Sequence, residues 1–245
     1  MAKKISESIK KDAVEPFFQP IVDKNKNLVK YEALIRIIDI QESGDQKIIS
    51  PINFLEISKR TNQYEELSSI MISKTFEKMQ HINTSFSINL SLLDIENKCL
   101  IKKLKKYIHE YTQIQHSLFK KVNTVYFEIV EDEHIHDYNN LYEFMSDFNT
   151  FKVELVIDDF GSGYSSFMHL LKIKPKYLKL DGSLIKNIVT DNDAKALVKG
   201  MIRFAHVLGI NIIAEYVHNE AVYLELKNIG VDQYQGYYFG QPSAF

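Results

Sequence analysis

Five acidic residues lie in or at the ends of short apolar, β-prone runs: Glu32 in KYEALIRI, Glu128 in YFEIVE, Asp158 and Asp159 in VIDDFGSG, and Glu215 in IIAEYV. Asn89 in SINLS, and Lys179 and Asp181 in YLKLDGS, occupy similar places. An ionised carboxylate on a strand buried on both faces is costly unless a cation or several donors compensate it. One such residue would mean little, but several strands doing the same imply a shared site. An oxygen-rich ligand set without thiolates suits hard cations such as Mg²⁺ or Mn²⁺. Glu32, Asn89, Glu128 and Asp158 could hold one ion, and Asp158, bridging to Asp159 and Glu215, a second. Two ions about 3.5–4 Å apart would clamp the attacking and leaving oxygens of an in-line phosphoryl displacement.

Adjacent aspartates point to opposite faces of a regular strand, so Asp158 and Asp159 can serve one site only if the chain turns there. The Phe-Gly-Ser-Gly that follows supplies such a turn. Lys179 lies between two leucines and shares strand parity with Asp181, which aims its ammonium at the same polar mouth. There it would orient water or stabilise phosphate charge; a lysine snorkelling from a strand edge is the alternative. Arg36 follows Glu32 by four residues on the same face of an extended strand. Its guanidinium fork suits a phosphate, or an ion pair with Glu32.

The elements that must position these groups alternate along the chain. Expected strands are Phe17 to Val22, Leu28 to Ile37, Ser85 to Leu90, Thr124 to Val130, Val153 to Asp158, Tyr177 to Leu180 and Ile210 to Ala214, with a last short one near Val231. Helical patterns fall between them. Ser50-Pro51 gives an N-cap and first-turn proline before INFLEISKR. EELSSIMISKTFEKM has apolar residues at helical spacing, and Asn97 to Tyr111, Tyr138 to Phe148, Asp193 to Leu208 and Asn219 to Leu226 read likewise. This alternation favours an α/β fold on a mainly parallel sheet, and up to eight strands in 245 residues fit a closed (β/α)₈ barrel. A dinucleotide-binding doubly wound sheet is the structural rival, but no GxGxxG turn follows the first strand. In a parallel barrel the strand ends converge on one face, where catalytic groups collect.

With 45% hydrophobic and 25% charged residues the chain has a globular balance. A net charge of -2 argues against DNA or RNA polymers as partners. Cys99 is the only cysteine, which excludes an intrachain disulfide and a multi-cysteine metal site. Neither a secretory signal nor 18 uninterrupted apolar residues is present, so direct membrane insertion is not expected. A cytoplasmic location is expected, either alone or as the cytoplasmic domain of a larger membrane-anchored protein. Residues 1–14 read as an N-terminal extension or linker and 15–245 as the barrel.

Taken in order, FFQPIVD, YEALIR, SINLS, FEIVE, DDFGSGYSS, LKLD, AEYV and QGYYFGQP closely resemble the EAL family of cyclic di-GMP phosphodiesterases, from about Phe17 to Pro242. The resemblance implies a modified TIM barrel, α/β, with its first strand antiparallel to the rest. It implies first-metal ligands at Glu32, Asn89, Glu128 and Asp158, a second-metal ligand at Asp159, and a metal-binding or water-activating role for Glu215. Lys179 matches the catalytic lysine. Gln19, Leu34 and Arg36 match substrate-lining positions, with Asp181 and Gln235 as supporting members, and Glu131 matches a glutamate that steadies the loop beginning at Asp159. The implied reaction is water attack on one phosphodiester of cyclic di-GMP, giving linear pGpG. It needs Mg²⁺ or Mn²⁺, two ions, with Ca²⁺ inhibitory. Homodimer contacts near the Asp159 loop and attached sensory or cyclase domains are further implications. Where the family reads Ala-Glu-Gly-Val-Glu this chain has Ala214-Glu215-Tyr216-Val217-His218, which leaves open a second-shell role for His218. Two other readings stay open: a receptor that binds cyclic di-GMP without cleaving it, and a metal-dependent barrel acting on another phosphate or sugar acid.

Overall fold

The structure, a computed structural model, describes residues 1–41, 44–130, 138–161, 170–171 and 173–245. Nine strands are described: β1 Val14–Asp23, β2 Leu28–Ile40, β3 Gln46–Ile49, β4 Ser85–Asn89, β5 Val125–Val130, β6 Val153–Phe160, β7 Tyr177–Leu180, β8 Asn211–Ala214 and β9 Gln233–Gln235. They pair in the order β1-β9-β8-β7-β6-β5-β4-β2-β3, and β1 also pairs with β2. That last pairing closes eight strands into a barrel and leaves β3 as a short antiparallel flap on the outer half of β2. β1 runs antiparallel to both of its neighbours, whereas β2 and β4 to β9 are mutually parallel. The first strand is therefore reversed, as the family resemblance implies.

The described helices are α1 Ala2–Lys10, α2 Leu55–Arg60, α3 Tyr64–Met79, α4 Leu92–Glu96, α5 Lys98–Phe119, α6 Tyr138–Ser146, α7 Gly182–Ile185, α8 Asn192–Val207 and α9 Glu220–Ile229. Side-chain oxygens fix many of their starts. Ser91, Asn97, Asp181, Asp191 and Asn219 each accept from a first-turn backbone N–H, satisfying donors the helix itself cannot pair. Ser50 does not cap; Pro51 instead opens a 3₁₀ turn, Pro51–Asn53, ahead of α2. The outward faces of the strands and the inward faces of the helices share one apolar layer that includes Phe86, Phe127, Leu155, Leu178, Ile212 and Leu226.

α1 is not among the expected elements, and α5 is longer than expected. α1 packs Ile5, fully buried, into a separate cluster with Val14, Ile37, Ile49, Phe54 and Leu67, and Lys4 pairs with Asp39 on β2. α5 runs eight residues past Tyr111 because Gln115 is buried there. Its amide donates to the carbonyls of Gln80 and Ile82, and its oxygen accepts from Asn123. Among the described residues no helix is long and apolar enough to cross a membrane.

Candidate active site

Glu32, Glu128, Asp158, Asp159 and Glu215 face one polar centre inside the barrel mouth, whereas Asp181 caps α7 beside it. Lys179, only 1% exposed, sits at that centre. Its Nζ lies 3.1 Å from Glu32 Oε2, 2.8 Å from Glu128 Oε2, 3.0 Å from Asp158 Oδ1 and 2.9 Å from Glu215 Oε1. An ammonium has three protons, so it cannot satisfy four carboxylates at once. The group is short of positive charge, and that is the condition under which carboxylates recruit divalent cations.

Two sets of oxygens within 4.8 Å of one another could hold an ion: Glu32, Glu128 and Asp158, and Asp158, Asp159 and Glu215. Asp158 belongs to both, as a bridging ligand must. The adjacent aspartates share the site because β6 departs from regular pairing there. Its register with β7 shifts between Ile157 and Phe160, and Asp159 takes φ +55°. That bulge turns the second carboxylate towards the first, and the Asp159 amide donates to Asp158 Oδ1 at 3.0 Å.

The environments of the carboxylates differ. Burial pushes Glu32 up, but Lys179 and donors from Gln235 and Asn89 together outweigh it and hold the carboxyl below its ordinary range. Asn89 Nδ2 donates to Glu32 Oε1 at 2.8 Å, and Gln235 Nε2 donates to Glu32 Oε2. Glu128 has fewer partners, and its buried Oε1 has none among the described residues. Burial, then Glu32, raises it to about 7. Glu215 is also raised to about 7, by burial first and in part by Glu32. Asp158 is pushed well above the carboxylate range, again by burial first. Burial disfavours the charged form of Lys179, but the four surrounding carboxylates overcome this and raise its pKa well above the lysine range. Hard oxygen donors, an orphaned buried carboxylate oxygen and a deficit of positive charge all fit a divalent ion.

Gln19 faces Glu32 across the β1–β2 pair, accepts from Gln235 at 3.1 Å and donates to the Gly240 carbonyl. Asp181 lines a cleft of about 420 Å³ with Gln19, Glu215, Tyr216, His218, Gln235 and Tyr237. A second cleft of about 260 Å³ brings Leu34 beside Glu32, Asn89, Asp158 and Asp159. Gly236, directly after β9, packs so closely on the Val217 backbone that a β-carbon there would come within 2.2 Å of the Val217 carbonyl oxygen. Arg36 forms no ion pair with Glu32 among the described residues. It is half-buried, donates to the Ile35 carbonyl and lies 6.0 Å from the Phe17 ring centre. His218 is exposed, with Nδ1 3.0 Å from the Tyr216 carbonyl oxygen. Glu131 lies outside the described residues.

Lys30 escaped the sequence reading. It is fully buried two residues before Glu32, and its Nζ is 4.0 Å from the centre of the Tyr126 ring and 3.9 Å from that of Tyr177. The signal was present, because Lys30 shares strand parity with Glu32 and must therefore face the same interior.

Comparison with known proteins follows the same lines. Residues 2–242 match the family model described as the EAL domain. The chain is 27% identical over 250 residues to the cyclic di-GMP phosphodiesterase PdeB of Shewanella oneidensis, covering 98% of this chain and 28% of that protein. It is 26% identical over 229 residues to the cyclic di-GMP phosphodiesterase PdeF of Escherichia coli, covering 91% and 29%. The chain thus spans under a third of these relatives' length. Its fold superposes on the phosphodiesterase structure of MucR, a protein of Pseudomonas aeruginosa, in complex with cyclic di-GMP, with a TM-score of 0.85 at 23% identity over 99% of this chain and 96% of that one.

Proposed function

Because this chain belongs to the EAL domain family, we propose that it hydrolyses cyclic di-GMP to linear 5′-pGpG with the aid of Mg²⁺ or Mn²⁺. The observation that carries this reading is the convergence of Glu32, Glu128, Asp158 and Glu215 on the Lys179 ammonium within 3.1 Å. Glu32, Asn89, Glu128 and Asp158 would hold one ion, and Asp158, Asp159 and Glu215 the other. When bound, the cations supply Lewis-acid polarisation of the phosphodiester and offset charge on its attacking and leaving oxygens. Ca²⁺ should inhibit, since its larger and more flexible coordination suits a tight two-ion site poorly.

In this account water attacks phosphorus in line, an O–P bond forms, and the bond from phosphorus to the 3′ oxygen breaks. Glu215 takes the water proton. Lys179 orients the water and stabilises charge on the phosphoryl oxygens; the departing 3′ oxygen takes its proton from solvent, to which Glu215 later returns the one it accepted. Arg36, with Gln19, Leu34, Asp181 and Gln235 around the mouth, holds the second phosphate and the remainder of the dinucleotide. Gln235 and Asn89 also keep Glu32 ionised for its metal.

Residues 15–245 are the catalytic barrel in this reading and 1–14 an extension docked on it. The protein acts in the cytoplasm as a homodimer, joined in a longer chain to sensory or cyclase domains. The test is incubation of the purified protein with cyclic di-GMP in Mg²⁺ or Mn²⁺ and chromatography of the products. Conversion to pGpG, abolished by Glu32→Ala and by Lys179→Ala in folded protein, supports the enzyme. Tight binding without conversion in either ion supports the receptor instead, and indifference to cyclic di-GMP supports a barrel acting on another phosphate.

A further inference from the structure

The cleft beside Glu215 has an aromatic wall that the chemistry above leaves unused. Tyr216 follows Glu215 directly and adopts φ +54°, a conformation that a side chain with a β-carbon resists. Its ring is held at its base on two sides. A β-carbon at Gly182 would come within 2.8 Å of Tyr216 Cβ and 3.3 Å of Cγ, so the glycine leaves the space that the tyrosine fills. The His218 ring stands 5.3 Å away at 52°, and its Nδ1 lies 3.0 Å from the Tyr216 carbonyl oxygen. Even so, 53% of Tyr216 stays open, and Tyr237, on the same cleft, is 66% exposed.

Backbone strain in a non-glycine residue, kept at the rim of a cleft, is a mark of function rather than of packing. The exposed face of such a ring, beside the proposed cleavage centre, suits the flat, apolar part of a nucleotide, whereas its hydroxyl is the one group it offers to a phosphate, and Tyr216→Phe separates the two. We propose that Tyr216 is a substrate-binding residue whose ring face stacks on one purine base of the dinucleotide while the scissile phosphodiester lies against Glu215 and Lys179. This rests on the function proposed above. The direct attachment of Tyr216 to Glu215 ties the position of the base to that of the proton acceptor. Stacking of bases on aromatic side chains is the usual device for holding unpaired nucleotides.

The test uses Tyr216→Gly, Tyr216→Leu and Tyr216→Phe in the full chain. Steady-state hydrolysis of cyclic di-GMP is measured in Mn²⁺, and equilibrium binding of the same ligand by calorimetry in Ca²⁺. Tyr216→Gly relieves the positive φ and should fold, which its melting temperature will verify. Its KM and Kd should rise by about tenfold with kcat and Mn²⁺ affinity little changed. Tyr216→Leu should fall between, and Tyr216→Phe should restore tight binding. An unchanged Kd and KM in Tyr216→Gly, or a loss confined to kcat or Mn²⁺ affinity, overturns the stacking role while leaving the proposed function standing. If the wild type binds without cleaving, the variants' Kd values test the stacking alone. If it neither binds nor cleaves, both readings fall.

Discussion

Replacing Lys30 by methionine tests the electrostatics of the barrel interior. Lys30 Nζ is fully buried, has no hydrogen-bond partner among the described residues and is flanked by the faces of Tyr126 and Tyr177. Burial, partly offset by Glu128, lowers its pKa to about 7 from the ordinary 10.5. The sign follows from linkage. Between those values the unfolded chain binds a proton that the folded chain does not, so folding gains stability as pH rises through that window. Above 10.5 the penalty vanishes, and below about 7 it is complete. An interval of about 3.5 pH units at about 1.4 kcal/mol each sets an upper limit of roughly 5 kcal/mol. Methionine has similar length, no charge and favourable sulfur contacts with aromatic rings. Urea unfolding in chelator at pH 6, 8 and 10 should therefore show Lys30→Met more stable than wild type at pH 6. The advantage should shrink by a few kcal/mol towards pH 10. A variant less stable than wild type by the same amount at all three values would refute the argument.

Further outcomes follow from the same geometry. Lys179→Met leaves four clustered carboxylates without their cation, and metal-free protein should lose roughly 3–5 kcal/mol in urea unfolding, as for other broken buried pairs. Mn²⁺ should recover most of that loss, whereas equal destabilisation with and without Mn²⁺ would contradict the charge-deficit account. Gln235→Leu removes a donor that lowers the Glu32 pKa. Mn²⁺ binding followed by calorimetry should then need a higher pH, because Glu32 must lose its proton to act as a ligand; an unchanged pH profile would show that Gln235 has no such influence. Asp159→Gly suits the φ of +55° but deletes a carboxylate. Mn²⁺ stoichiometry should fall from two to one while thermal stability holds, and a retained stoichiometry of two would remove Asp159 from the ligand set.

Much of this architecture is legible in the chain because each parallel strand is a short apolar run broken by one polar residue. Tyr177–Leu180 has the bounds expected from its sequence, with Lys179 as the lone charge. Where the local signal is weak the reading falls short. β3, the four residues QKII, has no alternation to mark it and exists through antiparallel pairing with Ile37 to Ile40, a few residues earlier in the chain. α1 hides two isoleucines, Ile5 and Ile9, among charged residues, and its helical face becomes visible only when Val14 and Ile37 cover it. The sequence pattern is expected to end α5 at Tyr111, whereas the helix continues to Phe119. The buried side chain that carries the helix onward is the polar Gln115.

The site divides in the same way. The acidic cluster follows from buried-strand carboxylates, since no other arrangement tolerates so many. The turn expected at Asp158-Asp159 takes the form of a strand bulge, which sequence alone does not distinguish from a tight loop. The reversed first strand came only from family resemblance, because antiparallel and parallel strands share the same two-residue side-chain period. Lys30 was overlooked because lysine is ordinarily exposed.

The claim on which the rest depends is that these carboxylates hold divalent cations. Crystals grown in Mn²⁺ and measured near the manganese absorption edge test it directly. The account predicts two anomalous peaks about 3.5–4 Å apart, one beside Glu32, Asn89 and Glu128 and the other beside Asp159 and Glu215, with Asp158 between them. Absence of any peak at that rim, with Lys179 Nζ still within 3.1 Å of all four carboxylates, would contradict it.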